Sequence, residues 1–174
     1  VFGGSLGART INEATIDAFG AAAPCAILHA CGRRDHEALA AQLAALGSPP
    51  HYRLHPYIAP FSDALAAADL AVARSGGSVF EVAAAGLPSI LVPYPHATAD
   101  HQTLNARHIA AGGAAVVVAD AELDGPRLAR EVGALLADPG RLRAMGRAAA
   151  ELARPDAAAV VAREVVELAR ERAR

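Results

Sequence analysis

The chain has 174 residues, 53% of them hydrophobic, a formal net charge of -2 and no lysine, so all sixteen basic residues are arginines. That length suits one domain able to bury roughly two-thirds of its unfolded surface without staples, and the slightly acidic balance offers no electrostatic footprint for nucleic acid. The absence of lysine removes the Walker A phosphate loop, no apolar run approaches the ~20 residues of a membrane helix, and the start lacks the charged-then-apolar form of a signal peptide, so a soluble intracellular domain is expected.

Val1-Phe2 reads as the tail of a strand that runs into the turn Gly3-Gly4-Ser5-Leu6-Gly7 and then a helix from Arg9 to Phe19. Two residues are too few to hold a place in a sheet, so the chain is expected to be the C-terminal piece of a longer protein. The turn offers bare N–H groups at a helix start, which suits a phosphate but also serves as a plain turn. It is not the dinucleotide fingerprint, because Phe2 stands where the first glycine of G-x-G-x-x-G is required. A strand follows at 25–30, bracketed by Cys25 and Cys31, whose spacing matches no metal or redox motif and suits reduced core thiols. A helix at 35–46 leads to a strand at 52–55 and the loop His55-Pro56-Tyr57-Ile58-Ala59-Pro60. This loop offers either a wall for a planar base or a rigid turn with Tyr57 packed on the core.

A helix at 61–67 and a strand at 70–73 lead into "RSGGSVFEVAAAGLP", Arg74 to Pro88, with a helix from Ser78 to Ala85. Ser78-Val79-Phe80-Glu81 fits the S-x-x-E capping box. Taken alone, these residues favour the cap over the competing reading, in which Gly76 and Gly77 bare their N–H groups to an anion and Glu81 reaches a hydroxyl. Val79, Val82, Ala83 and Gly86 make an apolar stripe that turns Glu81 toward the strand ends. After a strand at 89–93 comes the longest polar loop, "PYPHATADHQTLNA", which feeds Asp100, His101 and Gln102 into a helix at 101–111. Asp100 is read as the N-cap, leaving His101 and Gln102 for a ligand. His96 with His101 lacks a third ligand of metal spacing, so no metal is expected. The remaining histidines are scattered and read as structural or surface groups. A strand at 114–119 precedes helices from Asp124 onward, broken at Asp138-Pro139-Gly140 and near Pro155, where arginines interleave with Glu151, Glu164, Glu167 and Glu171 as a solvated face. Alternating strands and helices predict an α/β fold: a Rossmann-like parallel sheet with helices on both faces and ligands beyond the strands' carboxyl ends.

Three stretches in order, "FGGSLGAR", "RSGGSVFEVAAAGLPSILVPYPHATADHQTLNA" and "AGGAAVVVAD", resemble the C-terminal half of the two-domain GT-B glycosyltransferases over nearly the whole chain. The resemblance is strongest to the bacterial enzymes that add N-acetylglucosamine to undecaprenyl-pyrophosphoryl-N-acetylmuramoyl-pentapeptide, making lipid II for peptidoglycan. It implies one donor-binding domain over 1–174, with its first strand cut short and the N-terminal acceptor domain lying outside the chain. Gly4 and Ser5 would stand near the diphosphate and sugar of UDP-N-acetylglucosamine, Tyr57 and the Ile58 backbone at the uracil, and Gly76, Gly77 and Ser78 at the diphosphate. Glu81 would accept from both ribose hydroxyls, and His101 and Gln102 would meet the sugar hydroxyls, which makes Glu81 a ribose clamp rather than half of a capping box. No catalytic base, cofactor or metal is implied in this chain. The lipid-linked acceptor and the membrane would be met through the other domain, at the cytoplasmic face of a bacterial cell membrane. Two departures stand out: the 76–81 stretch is one residue shorter than in many relatives, and His101 replaces a common glutamine. The architecture is also shared by UDP-N-acetylglucosamine 2-epimerases, which would need sugar-facing carboxylates of which Asp100 is the one nearby candidate, and by non-catalytic nucleotide-sugar binding modules.

Overall fold

The computed structural model describes residues 1–4 and 8–172. Five parallel strands alternate with helices: α1 (Arg9–Phe19), β1 (Ile27–Ala30), α2 (His36–Ala45), β2 (Tyr52–His55), α3 (Phe61–Ala66), β3 (Ala71–Ala73), α4 (Val79–Ala84), β4 (Ser89–Leu91), α5 (His101–Ala111) and β5 (Ala115–Val117). Three further helices close the chain: α6 (Gly125–Leu136), α7 (Pro139–Leu152) and α8 (Ala157–Arg172). β1 pairs with β2, and β3, β4 and β5 pair in that order.

The two groups of strands are joined by the first two residues of the chain, which corrects the expectation that so short a piece could not hold a sheet position. Phe2 bridges Ala30 on one side and Ala73 on the other. Its N–H donates to Val72 O at 3.0 Å, and Ala30 N–H donates to Val1 O at 2.9 Å. A central slot with a partner on each side lets two residues use their backbone groups fully, where an edge position would satisfy only half of them.

Strand alternation sorts the core onto two faces. Val72 and Ile90 point into the larger cluster with Ile11, Phe19, Leu39, Leu128 and Leu135, which brings α1, α2 and α6 to that side. On the opposite side, Leu91 packs with Val79, Ala83, Ala106, Ile109 and Ala149, while Ala71 and Ala73 pack with Phe2, Leu65 and Val82, so α3, α4, α5 and α7 cover that face. Helices on both faces explain why β3 and β4 are buried along their whole length.

One polar group threads the larger cluster. His29 on β1 is fully buried, with Nε2 2.9 Å from Asn12 Oδ1 and Nδ1 2.7 Å from the Tyr52 hydroxyl. Asn12 Nδ2 donates to Cys31 O at 2.9 Å and to Asp35 Oδ2 at 3.1 Å, which leaves Oδ1 to accept. Nε2 therefore carries the ring proton and Nδ1 accepts from Tyr52. Burial pushes the His29 pKa down to about 3 and the Tyr52 phenol upward. The reading of His29 as structural holds. Both cysteines are free thiols, Cys31 buried and Cys25 partly so, and burial raises the pKa of each. No helix among the described residues is long and apolar enough to cross a membrane.

Candidate functional site

The strand-to-helix loops meet at the carboxyl ends of the strands. The first, Gly3 to Ala8, has Gly4 exposed at φ +87°, a conformation that requires glycine. Ser5 lies outside the described residues.

The loop after β3 decides between the two readings of Ser78. Ser78 already has helical dihedrals, φ -63° and ψ -13°, and makes no side-chain cap hydrogen bond. The backbone turn starts earlier, with Val79 N–H donating to Gly76 O at 3.1 Å and Phe80 N–H to Gly77 O at 3.2 Å. The capping box is thus absent: an N-cap needs extended dihedrals to bring its oxygen over the third amide, and Ser78 has already entered the helix. Space remains open beside Gly77, and a methyl group placed on Gly76 would stand 3.8 Å from Gln102 Nε2. Glu81 is exposed, while Val79, Val82 and Ala83 on the same helix are buried, as the apolar stripe predicts. Glu81 borders a shallow pocket of about 410 Å³ with Ser62, Leu65, Ala66, Ala84 and Ala85, between α3 and α4.

The long loop after β4 is laced to the glycine turn. Gln102 Oε1 accepts from Tyr94 N–H at 3.0 Å, so its free Nε2 is the end near Gly76. Ser75 Oγ donates to Gln102 O at 2.7 Å, and Asn105 Nδ2 donates to Ser75 O at 3.0 Å. His101 Nδ1 donates to Thr98 O at 2.8 Å, leaving Nε2 as an exposed acceptor. Asp100 precedes α5 at φ +52° with no side-chain cap hydrogen bond, which corrects its reading as a cap: the left-handed backbone turns its carboxylate away from the helix amides. Among the described residues no group of three or more His, Cys, Asp or Glu side chains could hold a metal ion.

Tyr57 is exposed rather than packed on the core, and Ile58 is half-buried. Ile58 borders a second, mostly apolar cavity of about 370 Å³ that runs along the N-terminal halves of β1 and β3 past Cys25, Ile27, Leu70 and Val72. That cavity is lined by neither the glycine turn nor Glu81, although Leu65 borders both it and the pocket beside Glu81, and the structure brings together Gly76, Gly77 and Gln102, with Glu81 one turn on. It does not gather Ile58 and Glu81 into one pocket. Arg74, Ser75, Asn105 and Asp120, which tie these loops to one another, were passed over by sequence reasoning. The available signal was Arg74 itself, a charge directly between a buried apolar strand and two glycines.

A parallel sheet with helices on both faces and a bare glycine turn at the strands' carboxyl ends is the arrangement of a doubly wound ligand-binding domain. The chain belongs to the glycosyltransferase family 28 C-terminal domain, whose family model matches residues 1–161. Among curated relatives, it is 48% identical over 163 residues to the UDP-N-acetylglucosamine–N-acetylmuramyl-(pentapeptide) pyrophosphoryl-undecaprenol N-acetylglucosamine transferase of Moorella thermoacetica, covering 89% of this chain and 44% of that protein. The enzyme of the same name from Rhodococcus opacus is 44% identical, over 97% of this chain and 44% of that protein. Among solved structures, MurG of Acinetobacter baumannii superposes with a TM-score of 0.82 at 33% identity, over 97% of this chain and 48% of that one. The calicheamicin glycosyltransferase CalG4 follows at 0.62 and 29%, over 90% and 38%. The chain spans about half the length of these relatives, and the expected GT-B class stands.

Proposed function

We propose that this chain is the donor-binding half of an inverting glycosyltransferase that takes N-acetylglucosamine from UDP-N-acetylglucosamine to a lipid-linked N-acetylmuramoyl-pentapeptide. The observation that carries the proposal is the junction of Gly76, Gly77 and Gln102: backbone left bare beside an amide whose oxygen is already engaged and whose nitrogen is free. The names of the relatives point to the same donor and acceptor.

In this reading the diphosphate lies over Gly76, Gly77 and Ser78, where unshielded N–H groups meet the charge that grows as UDP departs. Fixed donors of this kind supply the stabilisation with no metal. Glu81 accepts from the two ribose hydroxyls, Gln102 Nε2 donates to a sugar oxygen and His101 Nε2 accepts from a sugar hydroxyl. Tyr57 and the Ile58 backbone meet the uracil, while Gly4 and Ser5 complete the sugar end. An acceptor hydroxyl attacks the anomeric carbon from the face opposite UDP, the carbon–oxygen bond to the diphosphate breaks, and the hydroxyl proton passes to a base. The base, the lipid-linked acceptor and the membrane contact belong to the other half of the enzyme, which would work on the cytoplasmic face of a bacterial membrane.

Calorimetric titration tests the donor assignment. UDP-N-acetylglucosamine and UDP should bind, UDP-glucose more weakly than the N-acetyl sugar, and GDP-mannose not measurably. Equal affinity for the uridine and guanosine sugars would contradict it.

A further inference from the structure

Arg74 leaves the carboxyl end of β3 with its side chain only 10% exposed. Its Nη1 donates to Val92 O at 3.1 Å and Pro93 O at 3.3 Å, and lies 2.5 Å from Asp120 Oδ1. Its guanidinium carbon stands 5.4 Å from the centre of the Tyr94 ring. Asp120 follows β5 and accepts from Thr10 Oγ1 at 3.3 Å through its other oxygen, Oδ2, at the first turn of α1. One ion pair therefore fastens the loops after β3, β4 and β5 to each other and to the helix behind the glycine-rich turn.

Asp120 Oδ1 is enclosed and has no hydrogen bond of acceptable direction, so it is held by the charge of Arg74 rather than by an amide. A pair this poorly satisfied is a weak source of stability, because desolvation offsets much of the attraction. What it does supply is position. Arg74 grips the carbonyls of Val92 and Pro93 and the ring of Tyr94, and the Tyr94 N–H is the donor that turns Gln102.

We propose that Asp120 is a positioning residue: through Arg74 it holds the Pro93–Tyr94 segment where Tyr94 N–H aims Gln102 Nε2 at Gly76, and so controls recognition of the sugar rather than of the nucleotide. The sugar part of this inference rests on the donor reading above; the latch itself does not. Asp120→Ala removes the counter-charge, Asp120→Asn keeps the shape without the charge, and Asp120→Glu returns the charge.

Two readouts test it. Amide hydrogen exchange at Tyr94, without ligand, should quicken about tenfold in Asp120→Ala and Asp120→Asn and recover in Asp120→Glu, while exchange at Ser89, bonded to Ala114 O at the far end of β4, stays unchanged. The preference for UDP-N-acetylglucosamine over UDP should fall toward one in the first two variants, with affinity for UDP held within about twofold. Unchanged exchange at Tyr94 overturns the latch, and so does a uniform rise in exchange with both ligands weakened alike. If the unaltered protein bound neither nucleotide, the donor reading and the sugar role would fall, and exchange at Tyr94 would still decide whether Asp120 places this segment.

Discussion

Acidification should destabilise this fold through His29 by an amount the structure sets. The neutral ring is required, since its Nε2 proton goes to Asn12 and its Nδ1 lone pair receives Tyr52. Desolvation by burial takes its pKa from 6.5 to about 3. A base whose folded pKa is depressed contributes stability that is complete above pH 6.5 and is lost as pH falls toward 3, because the unfolded chain binds the proton first. Between pH 7 and pH 5 the loss is about 1.4 kcal/mol per unit below 6.5, hence about 2 kcal/mol at pH 5. Because other groups also titrate as pH falls, a difference measurement is needed. Urea unfolding of the unaltered protein and of His29→Gln, each at pH 7 and pH 5, isolates the histidine. His29→Gln should be the less stable protein at pH 7, and the gap should narrow by about 2 kcal/mol at pH 5. A gap that stays within 0.5 kcal/mol, roughly the precision of such extrapolations, would refute the claim that a neutral His29 is built into the core.

Three other outcomes follow from local geometry. Ser78→Ala should change stability by less than about 0.5 kcal/mol, because its side chain caps nothing; Asp124→Ala and Asp138→Ala should each cost about 1 kcal/mol, since their carboxylates accept from Arg127 N–H at 2.6 Å and Arg141 N–H at 2.9 Å. Thermal denaturation of the three variants ranks them. Gly146→Ala should destabilise by about 1–3 kcal/mol, as the new methyl would lie 2.8 Å from the backbone carbonyl of Gly86 and force α7 away from α4; a melting temperature unchanged from the parent would show that this contact relaxes freely. Glu81→Ala should weaken UDP binding by about 10- to 150-fold, the range for a hydrogen-bonded charge, which titration with UDP alone would read.

The α/β order was legible from residue patterns because each element carries its own periodicity. The boundaries of α1, β2 and α5 match the sequence reading to the residue, and Asp138-Pro139-Gly140 marks the start of α7 through a carboxylate cap and a proline at the first turn. The misreadings share a cause. S-x-x-E at 78–81 and Asp100 before α5 fit capping patterns, yet a cap depends on the dihedrals of its residue, and these are set by how the loop is tied down elsewhere. Val1-Phe2 was undervalued because strand length was judged without knowing that both neighbours were supplied. Arg74 and Asp120 are 46 positions apart, and nothing local announces that β3 and β5 flank the same strand. Gln102 was legible as a polar residue at a helix start, but which of its amide atoms is free followed only from the Tyr94 N–H.

The central claim is that the glycine turn and Glu81, at the start of α4, form a uridine-nucleotide site. Titration of UDP-N-acetylglucosamine into the protein and into Glu81→Ala, with the melting temperature of each recorded, tests it in one comparison. The account predicts a large loss of affinity at nearly constant melting temperature. Retained affinity would contradict it, and a lowered melting temperature beside it would assign Glu81 to the stability of the fold instead.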